Sequence, residues 1–188
     1  MRAEDETGYA TRCLAGMRLA ILAFLAACDA GRSPAPPAPH NIAVAPPVSH
    51  EVMATLERTA CYGWCPVYTL TIHRDGRVEY HGEEFVKQRG SAAAELTPGQ
   101  IDELDRAFAT AQYFSLGSDY THEDATDASS AITSYRKDGR DKKIAHYHGD
   151  EHAPDALTTL ENAIDTIVGT ERWIGTRAER EGHAGEWR

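Results

Sequence analysis

Alternating apolar and polar residues predict strands in the first half of the folded region. Residues 68–72 alternate with the two-residue period of a strand that buries one face. Asp75-Gly76 follows, and this pair is typical of the tight turn between antiparallel strands. Residues 78–80 continue the alternation on the return strand, and a weaker alternation at residues 52–56 predicts a strand before the hairpin.

Two segments have the apolar spacing of helices instead. Thr97-Pro98-Gly99-Gln100 has the form of a capping box with proline in the first turn, and apolar residues recur at helical spacing from Ile101 to Ala111. A second helix is predicted to begin at Pro154 and to end at Gly169. Its apolar face comprises Leu157, Leu160, Ile164 and Ile167.

A second hairpin is predicted between these helices, with strands at residues 131–135 and 143–147 joined by Asp138-Gly139. The order hairpin, helix, hairpin, helix is compatible with tandem ββα units, but two unrelated hairpins explain it equally well. Either arrangement predicts an α+β fold, in which an antiparallel sheet of hairpins has two helices packed on one face.

The N-terminal region has the features of an export signal. Leu19–Ala27 is an apolar run after Arg18, too short to cross a bilayer, which requires about 20 residues. The run ends in Leu25-Ala26-Ala27-Cys28, which resembles a bacterial lipobox. In that resemblance the signal is removed before Cys28, and the thiol of Cys28 carries the lipid.

Residues 29–50 contain six of the nine prolines, which favour an extended tether. We therefore expect a protein held by its lipid on a membrane of the bacterial cell envelope, facing the periplasm or the exterior. The predicted segments are a lipoprotein signal at 1–27, the lipidated cysteine and tether at 28–50, a folded domain at 51–175 and a disordered tail at 176–188.

Charge and motif content exclude several classes of function. The chain has 19 basic and 29 acidic residues, a net charge of −10, which argues against nucleic-acid binding. No GxSxG, HExxH, P-loop or GxGxxG motif occurs. We predict no cofactor and no catalytic residue, although a constellation defined by geometry alone would escape a motif search.

The segment Cys61-Tyr62-Gly63-Trp64-Cys65 is the first candidate for chemistry. After export, with Cys28 lipidated, Cys61 and Cys65 would be the remaining thiols, and an oxidising compartment favours a disulfide between them. A redox pair, a metal thiolate or free thiols are the alternatives. Tyr62 and Trp64 are candidate binding residues, because aromatic side chains in a turn can anchor a partner.

The same segment carries a resemblance to a known family. Leu56–Tyr68 resembles the opening of a bacterial domain family of unknown function, with the pattern Cys-aromatic-Gly-x-Cys-Pro-x-Tyr between two strands. The resemblance covers nearly all of residues 51–175 and includes Phe85–Lys87, Ala111–Leu116, Thr126-Asp127 and Gly169–Gly175. Members often look like exported proteins or lipoproteins, and the resemblance implies no activity. Its Thr126-Asp127 element makes Asp127 a further candidate.

The third candidate is a histidine group near the end of the second hairpin. His146 and His148 would point to the same side of a strand, and His152 in the following loop could supply a third metal ligand. A solvated polar turn is the alternative interpretation.

These observations favour a lipid-anchored extracytoplasmic binding or scaffold module, with a possible envelope protein as partner. The alternative is a small thiol-redox or metal-binding protein that uses Cys61 and Cys65, or His146, His148 and His152.

Overall fold

The computed structural model describes residues 50–122 and 126–182. The predicted signal peptide, Cys28 and the predicted tether up to residue 49 lie outside the described residues, as does the predicted tail from residue 183 onward.

Seven strands form a single open sheet. They are β1 (Val52–Arg58), β2 (Val67–His73), β3 (Arg77–Glu84), β4 (Gly90–Glu95), β5 (Asp119–Tyr120), β6 (Ser130–Lys137) and β7 (Arg140–Tyr147). The spatial order is β4-β3-β2-β1-β6-β7-β5. All neighbouring strands are antiparallel except β5, which runs parallel to β7.

Both predicted hairpins are present. β2 and β3 meet at Asp75-Gly76, where Gly76 has a φ of 94°. β6 and β7 meet at Asp138-Gly139, with φ values of 51° and 72°. Positive φ at both central residues is typical of the type I′ turn and is seen in the β6–β7 hairpin, whereas in the β2–β3 connection Gly76 has positive φ and Asp75 does not. Glycine adopts this conformation without steric cost.

Two of the four helices follow the predicted signals closely. They are α1 (Pro98–Thr110), α2 (Asp155–Val168), α3 (Glu171–Ile174) and α4 (Arg177–Gly182), with a 3-10 turn at Tyr113–Ser115. The capping box between Thr97 and Gln100 is formed, and Gly169 ends α2 with a φ of 71°. In the part of the chain that the structure describes, no helix combines the length and apolar character needed to cross a bilayer.

One face of the sheet forms the core together with α1 and α2. Tyr68, Leu70 and Ile72 are all buried, as their alternation predicts, and they belong to one cluster with Leu104 and Phe108 of α1. The inward side of α2 contributes Leu157, Leu160, Ile164, Ile167 and Val168 to the same cluster. The predicted α+β fold with an antiparallel sheet and two packed helices is therefore confirmed.

Four elements were not predicted, and one of them is the short helix α3. β4 has the sequence GSAAAE, which lacks apolar alternation, and it becomes a strand by pairing with β3. β5 has only two residues. Helix α4 lies within the segment predicted to be a disordered tail. It begins with a reciprocal pair, in which Glu179 N donates to Thr176 Oγ1 at 3.2 Å and Thr176 N donates to Glu179 Oε2 at 2.7 Å.

Candidate functional site

A row of residues crosses four strands on the face that α2 covers. Tyr68 of β2 lies opposite Arg58 of β1, Arg58 lies opposite Ala131 of β6, and Ala131 lies opposite His146 of β7. Residues directly opposite one another in antiparallel strands point to the same face. Ala131 is fully buried and has the smallest side chain in the row, so it leaves space between Arg58 and His146.

Glu161 of α2 enters that space and is fully buried. Its Oε1 lies 2.7 Å from Nδ1 of His146, and its Oε2 lies 2.8 Å from Nε2 of His148. Arg58 Nη1 also donates to Oε2, at 3.3 Å. An ionised carboxylate only accepts hydrogen bonds, so both facing ring nitrogens carry protons in this arrangement.

Asp165 lies one helical turn after Glu161 and shares the same guanidinium. Arg58 Nη2 donates to Asp165 Oδ2 at 2.9 Å, while Tyr68 OH donates to Oδ1 at 2.5 Å. Thr170 Oγ1 donates to the same Oδ1 at 3.1 Å. One largely covered arginine therefore bridges two carboxylates, and each carboxylate has further donors.

The pKa values of this cluster follow from burial and pairing. Burial raises the pKa of the Tyr68 hydroxyl, and the adjacent Asp165 carboxylate raises it further. Burial also opposes ionisation of Glu161, but hydrogen bonds from His146 and His148 and the charge of Arg58 hold the pKa of Glu161 below its ordinary value. Glu161 is therefore an anion at neutral pH despite its burial.

The structure gathers two of the three predicted histidines. The ligand atoms of His146, His148 and Glu161 all lie within 4.8 Å of one another. The third residue of the group is therefore Glu161, whereas His152 was the predicted third ligand. His152 instead lies beside Asp150, with 3.4 Å between its Nδ1 and Asp150 Oδ1. Asp150 also accepts a hydrogen bond from the backbone N–H of His152 at 2.8 Å.

Glu161 and Arg58 were not among the predicted site residues, but the sequence contains a signal for each. Glu161 occupies a position within the apolar stripe of α2, beside Leu160 and Ile164. Arg58 continues the alternation of residues 52–56 at a position that points to the core. A charged residue at an inward-facing position requires a partner, and this requirement was the available clue.

The second candidate site is the loop between β1 and β2. Cys61 and Cys65 form a disulfide with an S–S distance of 1.97 Å. Tyr62 N donates to the carbonyl oxygen of Asp127 at 3.0 Å, and Asp127 has a left-handed φ of 70°. The structure therefore brings Asp127 to the loop, where it contributes its backbone carbonyl.

The aromatic side chains of this loop are the exposed large apolar groups of the described residues. Tyr62 is 88% exposed and Trp64 is 40% exposed, and Trp64 packs edge-on against Phe85 with 5.5 Å between ring centroids. A depression of about 650 Å³ lies on the Phe85 side of the loop. A second, of about 320 Å³, separates the loop from Arg177, Arg180 and Glu181.

The structure is an α+β domain with an exposed disulfide loop and a charge cluster under α2. The charge cluster consists of Arg58, His146, His148, Glu161 and Asp165. The family described as a domain of unknown function, DUF6438, matches residues 53–168, which is more than half of the chain. The chain belongs to this family, so the resemblance to a domain family of unknown function is confirmed. The matched region includes both the disulfide loop and the cluster. The comparison with curated proteins found no match.

The charge cluster yields a prediction for stability. Replacing Arg58 with alanine would leave Glu161 and Asp165 without their shared cation, in a site where the Arg58 side chain is only 12% exposed. Removing one partner of a buried ion pair typically costs about 3–5 kcal/mol. We expect a loss of that order in the free energy of unfolding, measured by urea titration.

The matched control for that experiment is Arg136→Ala. Arg136 pairs with Asp141 at the surface, where both side chains are about half exposed, so its loss should change stability little. Equal effects of the two substitutions would show that the cluster does not stabilise the fold.

Proposed function

We propose that this protein is a binding or scaffold module of the bacterial cell envelope, anchored through a lipid on Cys28, which engages a protein partner through the Cys61–Cys65 loop. The observation that carries the proposal is the 88% exposure of Tyr62 at the tip of a loop closed by a disulfide. Trp64 extends the same surface.

The Cys61–Cys65 loop combines exposed aromatic area with rigidity, and both properties favour binding. Tyrosine and tryptophan dominate the energetic hot spots of protein interfaces. Ordering a flexible loop on binding costs free energy, and a loop already fixed by a covalent bridge avoids most of that cost. The disulfide, the Tyr62–Asp127 backbone bond and the Trp64–Phe85 contact each restrict this loop.

A redox role for the same cysteines has less support. Reactive thiols typically sit at helix N-termini or in CxxC motifs, where the thiolate is stabilised. Cys61 and Cys65 are four residues apart in a loop between two strands. A structural bridge is the function that this setting favours.

Site-specific photocrosslinking in the native host tests the binding surface. A photoreactive residue at position 62 should form a discrete protein adduct, whereas one at Glu103, exposed on α1, should not. With the captured partner purified, Tyr62→Ala and Trp64→Ala should each weaken the complex at least about tenfold, as expected of hot-spot residues, while Glu103→Ala leaves the Kd unchanged.

Two results of that experiment would contradict the proposal. The first is equal adduct formation at positions 62 and 103. The second is crosslinking at position 62 to lipid alone, which would assign the aromatic residues to the membrane surface instead of a protein.

The intact mass of the protein purified from host membranes tests the anchor separately. We expect a chain that begins at Cys28, carries a diacylglyceryl group and is about two daltons lighter than its reduced form because of the Cys61–Cys65 bridge. An unmodified chain that retains residues 1–27 would contradict the lipid anchor.

A further inference from the structure

We propose that His146, His148 and Glu161 form a binding site for a divalent transition-metal cation of the Zn²⁺ class. Their ligand atoms lie within 4.8 Å of one another. This inference goes beyond the proposed binding function, because it concerns the cluster under α2 and uses no residue of the Cys61–Cys65 loop.

The donor set suits this class of metal. Two imidazole nitrogens and one carboxylate oxygen are the protein ligands of a common class of zinc site, in which a fourth position remains open to water or another ligand. Mg²⁺ and Ca²⁺ prefer oxygen ligands alone, so the two histidines select against them.

A strand and a helix hold two of the three donors, and the third lies directly after the strand. His146 is the penultimate residue of β7, His148 follows two residues later, and Glu161 is in the middle of α2. His146 and Glu161 have side chains only 4% and 1% exposed, so packing restricts their positions. Sites on helices and strands hold ligand geometry more closely than sites on mobile loops.

Metal binding would require the donor atoms to shift. The imidazole nitrogens now contact the carboxylate oxygens directly, at 2.7 and 2.8 Å. Ligand bonds of about 2.1 Å in a tetrahedral site place neighbouring donor atoms ~3.4 Å apart. The rings must therefore withdraw from the carboxylate by less than ~1 Å, while the widest separation among the three ligand atoms, up to 4.8 Å, must shorten toward ~3.4 Å. The partly exposed ring of His148 has the most freedom to move.

Each histidine must also give up the proton that it now donates to Glu161. His146 Nδ1 and His148 Nε2 bind the cation as neutral donors, so each proton either moves to the other ring nitrogen or passes to solvent. For His148 an acceptor is already in place, because its Nδ1 lies 3.1 Å from Ser129 Oγ. A hydroxyl both donates and accepts, so Ser129 can stabilise either tautomer.

The positive charge of Arg58 does not prevent cation binding. Its Nη2 is paired with Asp165 at 2.9 Å, so that carboxylate offsets the guanidinium charge. With neutral imidazoles, Glu161 and Asp165 outweigh Arg58, and the buried cluster has a net negative charge. Coordination through one oxygen of Glu161 leaves the other available to Arg58 Nη1, now 3.3 Å from Oε2.

One side of the site is open to solvent. The side chain of His148 is 26% exposed, whereas His146 and Glu161 are almost completely covered. A cation can therefore reach the site past His148.

Calorimetric titration of the chelator-treated full chain with Zn²⁺ tests the site. We expect one strong site in the unsubstituted protein, with affinity at least about 100-fold weaker in His148→Ala and unchanged in His152→Ala, the matched control. Ser129→Ala should weaken binding about tenfold if it orients the His148 ring. Co²⁺ should give the visible absorption of a tetrahedral site, and His148→Ala should abolish it.

His148 is the ligand chosen for replacement because its loss should leave the domain folded. Glu161→Gln could unfold a buried cluster, whereas His148 is partly exposed and its replacement is compatible with folding, which circular dichroism verifies. Absence of strong Zn²⁺ binding in the unsubstituted protein would overturn the proposal. Equal affinities of His148→Ala and His152→Ala would overturn it too, because both would then reflect surface histidines.

Discussion

The buried carboxylate of Glu161 is the constraint on which much of this domain depends. An ion removed from water needs full hydrogen-bond compensation, and here the donors come from β1, from β7 and from the residue just after β7. The Glu161 carboxylate can reach all of these donors in only one position of helix α2 along the sheet. The apolar residues of α2 supply most of the burial energy, and the charge cluster determines how α2 is aligned.

The cluster also connects the two candidate sites. The loop with the disulfide leaves the sheet after Arg58 and returns before Tyr68, and both of these residues bind the carboxylate of Asp165. Asp165 therefore holds the two ends of the loop, while the Cys61–Cys65 bridge closes its tip. This double attachment fixes the loop that carries Tyr62 and Trp64, so it links the packing of α2 to the proposed binding surface.

Sequence patterns predicted the strands and helices that are specified by their own residues and do not depend on a distant partner. Alternation and Asp-Gly turns located both hairpins, and caps located α1 and α2, because these signals are local. β4 depends on its pairing with β3, and its alanine run has no strand signature. In the site, the two-residue spacing of His146 and His148 was visible in the sequence. Glu161 was not identified, since only the packing of α2 brings it to the histidines.

The protonation pattern of the histidines tests this account most directly. Long-range proton–nitrogen NMR spectra of the metal-free full chain at neutral pH should show a proton on Nδ1 of His146 and on Nε2 of His148. These are the nitrogens that face Glu161. Rapid tautomer exchange in both rings, or protons only on the opposite nitrogens, would contradict a cluster built around the buried carboxylate.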